Sequence, residues 1–189
     1  MPGSVPPVPD ERSALLGYLA QQRYVLRLTA YGLTDEQARE TPTVSSLSIG
    51  GLIKHTAATE GYWIDLIVQR KRESVEDYQS GFRMGSDETL ADILRGYDEV
   101  AEETGSVIAG IPDLGQAVPV PKDAPWFPKD VDAWSVRWVL LHVIEETARH
   151  AGHADIVRES VDGATAFPLM AAAEGWPATP WLQPWEAPA

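Results

Sequence analysis

A carboxylate and an imidazole lie one helical turn apart in the most strongly helical part of the chain, WSVRWVLLHVIEETARHAGHADIVRES at residues 134–160. At about 100° per residue, Glu146 and His150 project on or beside the apolar face of this helix. Such a pair is costly to bury unless it is paired or binds a metal. The spacing lets both side chains reach one ion. An ordinary ion pair, of Glu146 with His150 or with an arginine on another helix, explains the pattern equally well.

Further titratable residues extend this candidate site. His142 and His153 lie on the edge of the same helical face, and we expect His142 to have a structural role. His55, in an earlier helix, is the one histidine left to supply a third ligand from elsewhere in the chain. Glu60 follows His55 by just over one turn and faces the core. It is either a hydrogen-bond partner of a metal ligand or a salt-bridge residue, and we slightly prefer the salt bridge.

Composition excludes several classes of function. The chain has 189 residues, a formal net charge of −13 and no cysteine. The negative charge disfavours nucleic acid and anionic membranes as partners. The lack of cysteine excludes disulfides, cysteine-ligated zinc and a cysteine nucleophile. There is no apolar run of about 18 residues and no signal-peptide pattern, so we expect a soluble, cytoplasmic protein.

Hydrophobic periodicity predicts an all-α fold with four long helices and no convincing strand. The polar stretch at residues 71–85 is expected to be a loop. The helices are predicted at 11–31, 49–70, 86–110 and 135–160, with short helices after the capping box at Thr34 and near 169–174.

Proline and tryptophan are concentrated in the connection at residues 111–133 and in the C-terminal tail. Five prolines prevent a continuous helix in the connection, and connections of this length are often functional. We predict that residues 112–128 overlie the mouth of the site, where Trp126, Phe127 and Trp63 line a substrate pocket. The chain is thus divided into a disordered extension at 1–9, a four-helix bundle at 10–165 and a tail at 166–189. The tail tryptophans should pack on the bundle or on a second subunit, so a homodimer is an open alternative.

The pattern of His55 on the second long helix and Glu146-x-x-x-His150-x-Gly on the fourth resembles the DinB-like metalloprotein superfamily. Most members of that superfamily have histidine at both positions of the later pair. The glutamate variant is similar to mycothiol-dependent maleylpyruvate isomerase, and the fourth-helix stretch is similar to an actinobacterial branch of mycothiol S-transferases. The resemblance covers residues 11–165 and implies that His55, Glu146 and His150 are the metal ligands. His153 falls where many relatives have glutamine, and it could join the ligands or contact a metal-bound water.

The resemblance implies a detoxifying enzyme that conjugates mycothiol to a small electrophile. Three protein ligands leave open positions on the ion, and coordination there would lower the pKa of a thiol. Two histidines and a carboxylate favour zinc, with nickel, manganese and iron as alternatives. Two other functions stay open at this point: a metal-dependent hydrolase of the same fold and a non-catalytic metal-binding module of the stress response.

Overall fold

The chain folds into four long helices with two short helices, one 3₁₀ turn and a two-stranded sheet, as described by a computed structural model of residues 3–71 and 78–187. The expected loop at 71–85 therefore lies partly outside the described residues. Within those residues, no helix is both long and apolar enough to cross a membrane. The elements are α1 (Glu11–Leu28), α2 (Asp35–Arg39), α3 (Ile49–Ile67), the 3₁₀ turn (Tyr78–Phe82), α4 (Leu90–Gly110), β1 (Ala117–Pro119), β2 (Ala133–Ser135), α5 (Val136–Asp162) and α6 (Ala166–Glu174).

Side-chain caps determine where the long helices begin. Each N-cap side chain accepts a hydrogen bond from a free backbone N–H of the first turn, which satisfies a donor that the helix cannot pair. The caps of α1, α3, α4 and α5 are Asp10, Ser48, Thr89 and Ser135. At its other end, α5 is closed by Gly163, which adopts a left-handed φ of 76°. The expected all-α bundle is confirmed.

The four long helices enclose two neighbouring apolar clusters. Helix α1 packs along α5, and α3 packs against both α4 and α5. The 3₁₀ turn lies directly on α3, because Gly51 has no side chain: a Cβ at this position would overlap the carbonyl oxygen of Phe82. This close approach brings the turn over the middle of the bundle.

The sequence analysis did not predict the small sheet. Strands β1 and β2 are antiparallel, with Ala117 opposite Ser135 and Pro119 opposite Ala133. Each strand has only three residues, which is too short for an alternating pattern to be recognised. The pairing closes the proline-rich connection into a loop that leads directly into α5.

The tail lies against the bundle at the end of α5. The ring of Trp185 packs 4.9 Å from the guanidinium carbon of Arg158 and edge-on to Tyr31 at 5.9 Å. Arg158 is fully buried and donates hydrogen bonds to Asp162 and to the carbonyl of Thr29. Trp181, in the same tail, is 80% exposed.

Candidate active site

Two histidines from different helices meet in the bundle interior. His55 of α3 and His150 of α5 are both buried, and their ring centroids lie 4.9 Å apart in an edge-on arrangement. Phe82, from the 3₁₀ turn, stacks on the His55 ring at 3.6 Å and lies 5.9 Å from the His150 ring. Phe82 therefore covers the pair and limits its access to water. The sequence analysis missed Phe82, although it is the only phenylalanine in the polar stretch at 71–85.

Burial keeps both imidazoles neutral at physiological pH. Desolvation, with a smaller contribution from His150, lowers the pKa of His55 to about 4. Desolvation also lowers the pKa of His150, and Glu146 only partly opposes this shift. A neutral imidazole has a free lone pair, which is the form that binds a metal ion.

The carboxylate of Glu146 lies between two imidazoles of its own helix. Its Oε2 atom is 3.6 Å from Nε2 of His150, and its Oε1 atom is 3.7 Å from Nε2 of His142. Its side chain is 32% exposed, so it has room to change rotamer. The structure thus places His150 beside both Glu146 of its own helix and His55 of α3.

The chemical types of these donor atoms suit a divalent metal ion. It consists of two neutral nitrogens and one carboxylate, and Nδ1 of His150 is a buried atom without a hydrogen-bond partner among the described residues. As the side chains are placed, no group of three or more His, Cys, Asp or Glu residues in the described ranges has the geometry to hold an ion. Binding an ion at His55, Glu146 and His150 therefore requires local side-chain rotation, for which the half-buried Glu146 has the most freedom.

Glu60 has partners on the other side of α3. Its carboxylate accepts two hydrogen bonds from Arg23 of α1, one of them from Nε at 2.9 Å, and another from the hydroxyl of Thr104 on α4. Glu60 is 1% exposed. These contacts match the salt-bridge alternative, and none of them joins Glu60 to a histidine.

His153 adjoins the candidate ligands without meeting Glu146. Its ring centroid is 5.6 Å from that of His150, and its Nδ1 atom is buried without a hydrogen-bond partner in the part of the chain that is described. Because it lies one turn beyond His150, it is placed to contact whatever occupies the site.

The expected pocket residues form part of a larger aromatic cluster. Phe127, from the proline-rich connection, packs on Trp63 with ring centroids 5.6 Å apart. Trp126 contacts Phe127 at 6.0 Å but is 75% exposed. Trp63 also lies edge-on to His142 at 4.5 Å, and His142 adjoins Glu146. The cluster therefore begins at the candidate ligands and extends away from them along α5.

Three further rings of this cluster were not predicted as site residues. Trp134, Trp138 and His142 stack in sequence, with centroids 4.8 and 5.1 Å apart and nearly parallel planes. We call these three residues the aromatic ladder. Their spacing of four residues was a recognisable signal, because residues i and i+4 are neighbours on a helix or at its start.

A known protein family matches most of the chain. The mycothiol S-transferase family matches residues 14–163, which include all four long helices almost completely. The chain belongs to this family. Its members are transferases with a small-molecule thiol as substrate, and the match contains His55, Glu146 and His150. No curated protein matches the sequence.

The fold is also found in a solved structure. The crystal structure of a conserved protein from Enterococcus faecalis superimposes with a TM-score of 0.66 and 14% sequence identity, over 83% of this chain and 100% of that chain. At this identity, the likeness shows the fold alone. It supports the all-α architecture that the sequence predicts.

Proposed function

We propose that this protein is a divalent-metal-dependent S-transferase that conjugates mycothiol to a small electrophile. The observation that carries the proposal is the contact of His150 with both His55 and Glu146, inside the segment that matches the family. His55 is more than ninety residues from the other two in sequence, so only the fold brings these donors together.

His55, Glu146 and His150 would hold the ion, and zinc suits two nitrogens and one carboxylate, as nickel, manganese or iron also could. When bound, such an ion lowers the pKa of a thiol that coordinates it, so that thiolate is present at neutral pH. The chain itself has no cysteine, so the sulfur nucleophile must belong to the substrate.

The residues around the donors orient them and exclude water. Phe82 stacks on His55 and restricts the rotation of its ring. His142 lies 3.7 Å from Glu146 on the side opposite His150 and limits the positions open to the carboxylate. Excluding water strengthens electrostatic interactions at the site and suppresses competing hydrolysis.

The aromatic cluster positions the second substrate. Phe127 packs on the buried Trp63, which adjoins His142, and offers an apolar surface where an electrophilic carbon would lie close to the sulfur. In the reaction a carbon–sulfur bond forms and the thiol proton passes to solvent. In a substitution, the leaving group departs with the electron pair of its bond to carbon. The contribution of the protein is proximity and orientation.

The experiment measures metal content and thiol-dependent turnover together. Protein purified without chelator should contain about one divalent ion per chain, because His55, Glu146 and His150 would form one set of three ligands. The same protein should consume a reporter electrophile such as monochlorobimane when mycothiol is present. His150→Ala and Glu146→Gln should lose both. Glu159→Gln is the matched control, because Glu159 is an exposed glutamate further along the same helix.

The outcomes separate the alternatives. Full metal content in His150→Ala would disprove the metal site. Consumption of the substrate without any thiol would indicate a hydrolase instead of a transferase. Metal binding with no turnover of electrophiles or esters would indicate a non-catalytic module.

A further inference from the structure

The aromatic ladder is a surface that the transfer reaction itself does not require. Parallel rings touch at about 3.5 Å, so the centroid separations of 4.8 and 5.1 Å mean that successive rings are displaced sideways. Each ring therefore leaves part of its face uncovered by its stacked neighbour, and Trp138 is 40% exposed. An exposed tryptophan ring is unfavourable in water unless a ligand or partner covers it.

Packing against buried neighbours also fixes the rings of the ladder in place. Trp63, which is 4% exposed, packs edge-on against Trp138 at 5.7 Å and against His142 at 4.5 Å. Ser135 caps the first turn of α5 by accepting a hydrogen bond from the Trp138 backbone N–H. Rings that are already fixed lose little entropy on binding, which is a property of a preorganised binding surface.

We propose that the aromatic ladder binds the pseudodisaccharide of mycothiol, with Trp138 as the principal contact. This inference rests on the proposed function and adds where the thiol substrate lies. In mycothiol the cysteine is linked to glucosamine and inositol, whose rings have apolar C–H faces and hydroxyl-bearing edges. Indole rings match the apolar faces, and nearby polar groups can pair with the hydroxyls.

The position of the ladder suits a substrate whose sulfur lies at the candidate ligands. Its last ring, His142, is 3.7 Å from Glu146, and Trp138 follows at 5.1 Å from His142. The sugar of mycothiol is separated from its sulfur by a single cysteine residue. A sulfur near Glu146 and His150 would therefore leave the sugar rings over His142 and Trp138.

The electrostatics also favour an uncharged polyol. The net charge of −13 opposes anionic ligands, whereas a neutral disaccharide feels no such repulsion. Glu145 lies 3.8 Å from Nδ1 of His142, and its side chain is 81% exposed. Its carboxylate is thus available to accept hydrogen bonds from sugar hydroxyls beside the ladder.

A binding measurement tests this inference without turnover. The probe is N-acetylglucosaminyl-inositol, which contains both rings of the pseudodisaccharide, no thiol and, like mycothiol, no free amine on the sugar. Its binding to the full-length protein is followed by saturation-transfer NMR. Wild type should bind saturably. Trp138→Leu should weaken binding about tenfold, and Trp138→Phe should retain most of it because an aromatic face remains. Trp181→Ala is the control and should bind like wild type, since this exposed tryptophan lies in the tail. Unchanged binding by Trp138→Leu, or none by wild type, would overturn the inference.

Kinetics then distinguish failure of the inference from failure of the proposed function. Trp138→Leu should raise KM for mycothiol about tenfold with little change in kcat, and it should leave kcat/KM for N-acetylcysteine unchanged. If the variant instead raises KM for the electrophile, the ladder binds that substrate and our assignment is wrong. If the sugar binds but no thiol is transferred, the ladder assignment stands and the proposed function fails.

Discussion

The ion pair between Arg23 and Glu60 provides a sharp test of the bundle interior. The Glu60 side chain is 0% exposed and that of Arg23 is 12% exposed. Two hydrogen bonds from the guanidinium and one from the Thr104 hydroxyl satisfy the carboxylate. Arg23→Met keeps most of the apolar volume of the side chain but removes the positive charge, so that a buried carboxylate is left with Thr104 alone.

Arg23→Met should lower the free energy of unfolding strongly, because a buried charge without its partner keeps its full desolvation cost. Breaking such a pair from one side costs about 3–5 kcal/mol. For a chain of this size that corresponds to a fall in Tm of about 6–20 °C. In the double variant Arg23→Met/Glu60→Leu neither charge of this pair remains, and we expect it to regain most of the lost stability.

Urea unfolding followed by far-UV circular dichroism measures these changes, with metal content determined on the same samples. The control is Arg95→Met, because Arg95 forms ion pairs with Asp92 and Glu99 at the surface and should change stability by less than about 0.5 kcal/mol. A loss below about 1 kcal/mol in Arg23→Met, or a double variant as unstable as the single one, would refute the reasoning. Loss of metal in the folded double variant would show that Glu60 supports the ligands after all.

Three further substitutions test other parts of the structure. Gly51→Ala should push the 3₁₀ turn and Phe82 away from α3 and lower Tm. Its control, Gly105→Ala, has open space around it and should stabilise α4 by about 0.4–1 kcal/mol. Equal effects of the two substitutions in thermal unfolding would contradict the tight contact at Gly51. His153→Gln should retain the metal but change kcat for thiol transfer, and metal loss as complete as in His150→Ala would instead make His153 a ligand. Trp185→Ala should cost about 1–3 kcal/mol in urea unfolding, and a loss below about 0.5 kcal/mol would show that the tail contributes little to stability.

The order of the helices and the first residues of α1, α2, α3 and α5 could be predicted because the signals are local, whereas α4 was expected from residue 86 but begins at Leu90, after its cap Thr89. Asp10, Ser48 and Ser135 each cap the turn that follows them, and the capping box at Thr34 starts α2 as expected. The pairing of Glu146 with His150 is equally local, since four residues make just over one turn of one helix.

Apolar periodicity predicts later ends for α1 and α3 than the structure shows. Helix α1 was expected to reach residue 31 but ends at Leu28, and α3 ends at Ile67 instead of near residue 70. The hydroxyl of Thr29 donates to the carbonyl of Leu26 at the end of α1, a local bond that apolar periodicity does not reveal. Helix ends depend on such individual contacts more than on the pattern of the helix body.

By itself, the sequence determined that the chain is helical, where three of its four long helices begin, and that Glu146 and His150 share one helical face. The tertiary structure alone decided that His55 reaches His150, that Glu60 turns toward Arg23, and that Phe82 covers the histidine pair. Caps and periodicity act within a few residues of the chain. The rotation of one helix against another is set by packing over long sequence separations, which no local pattern contains.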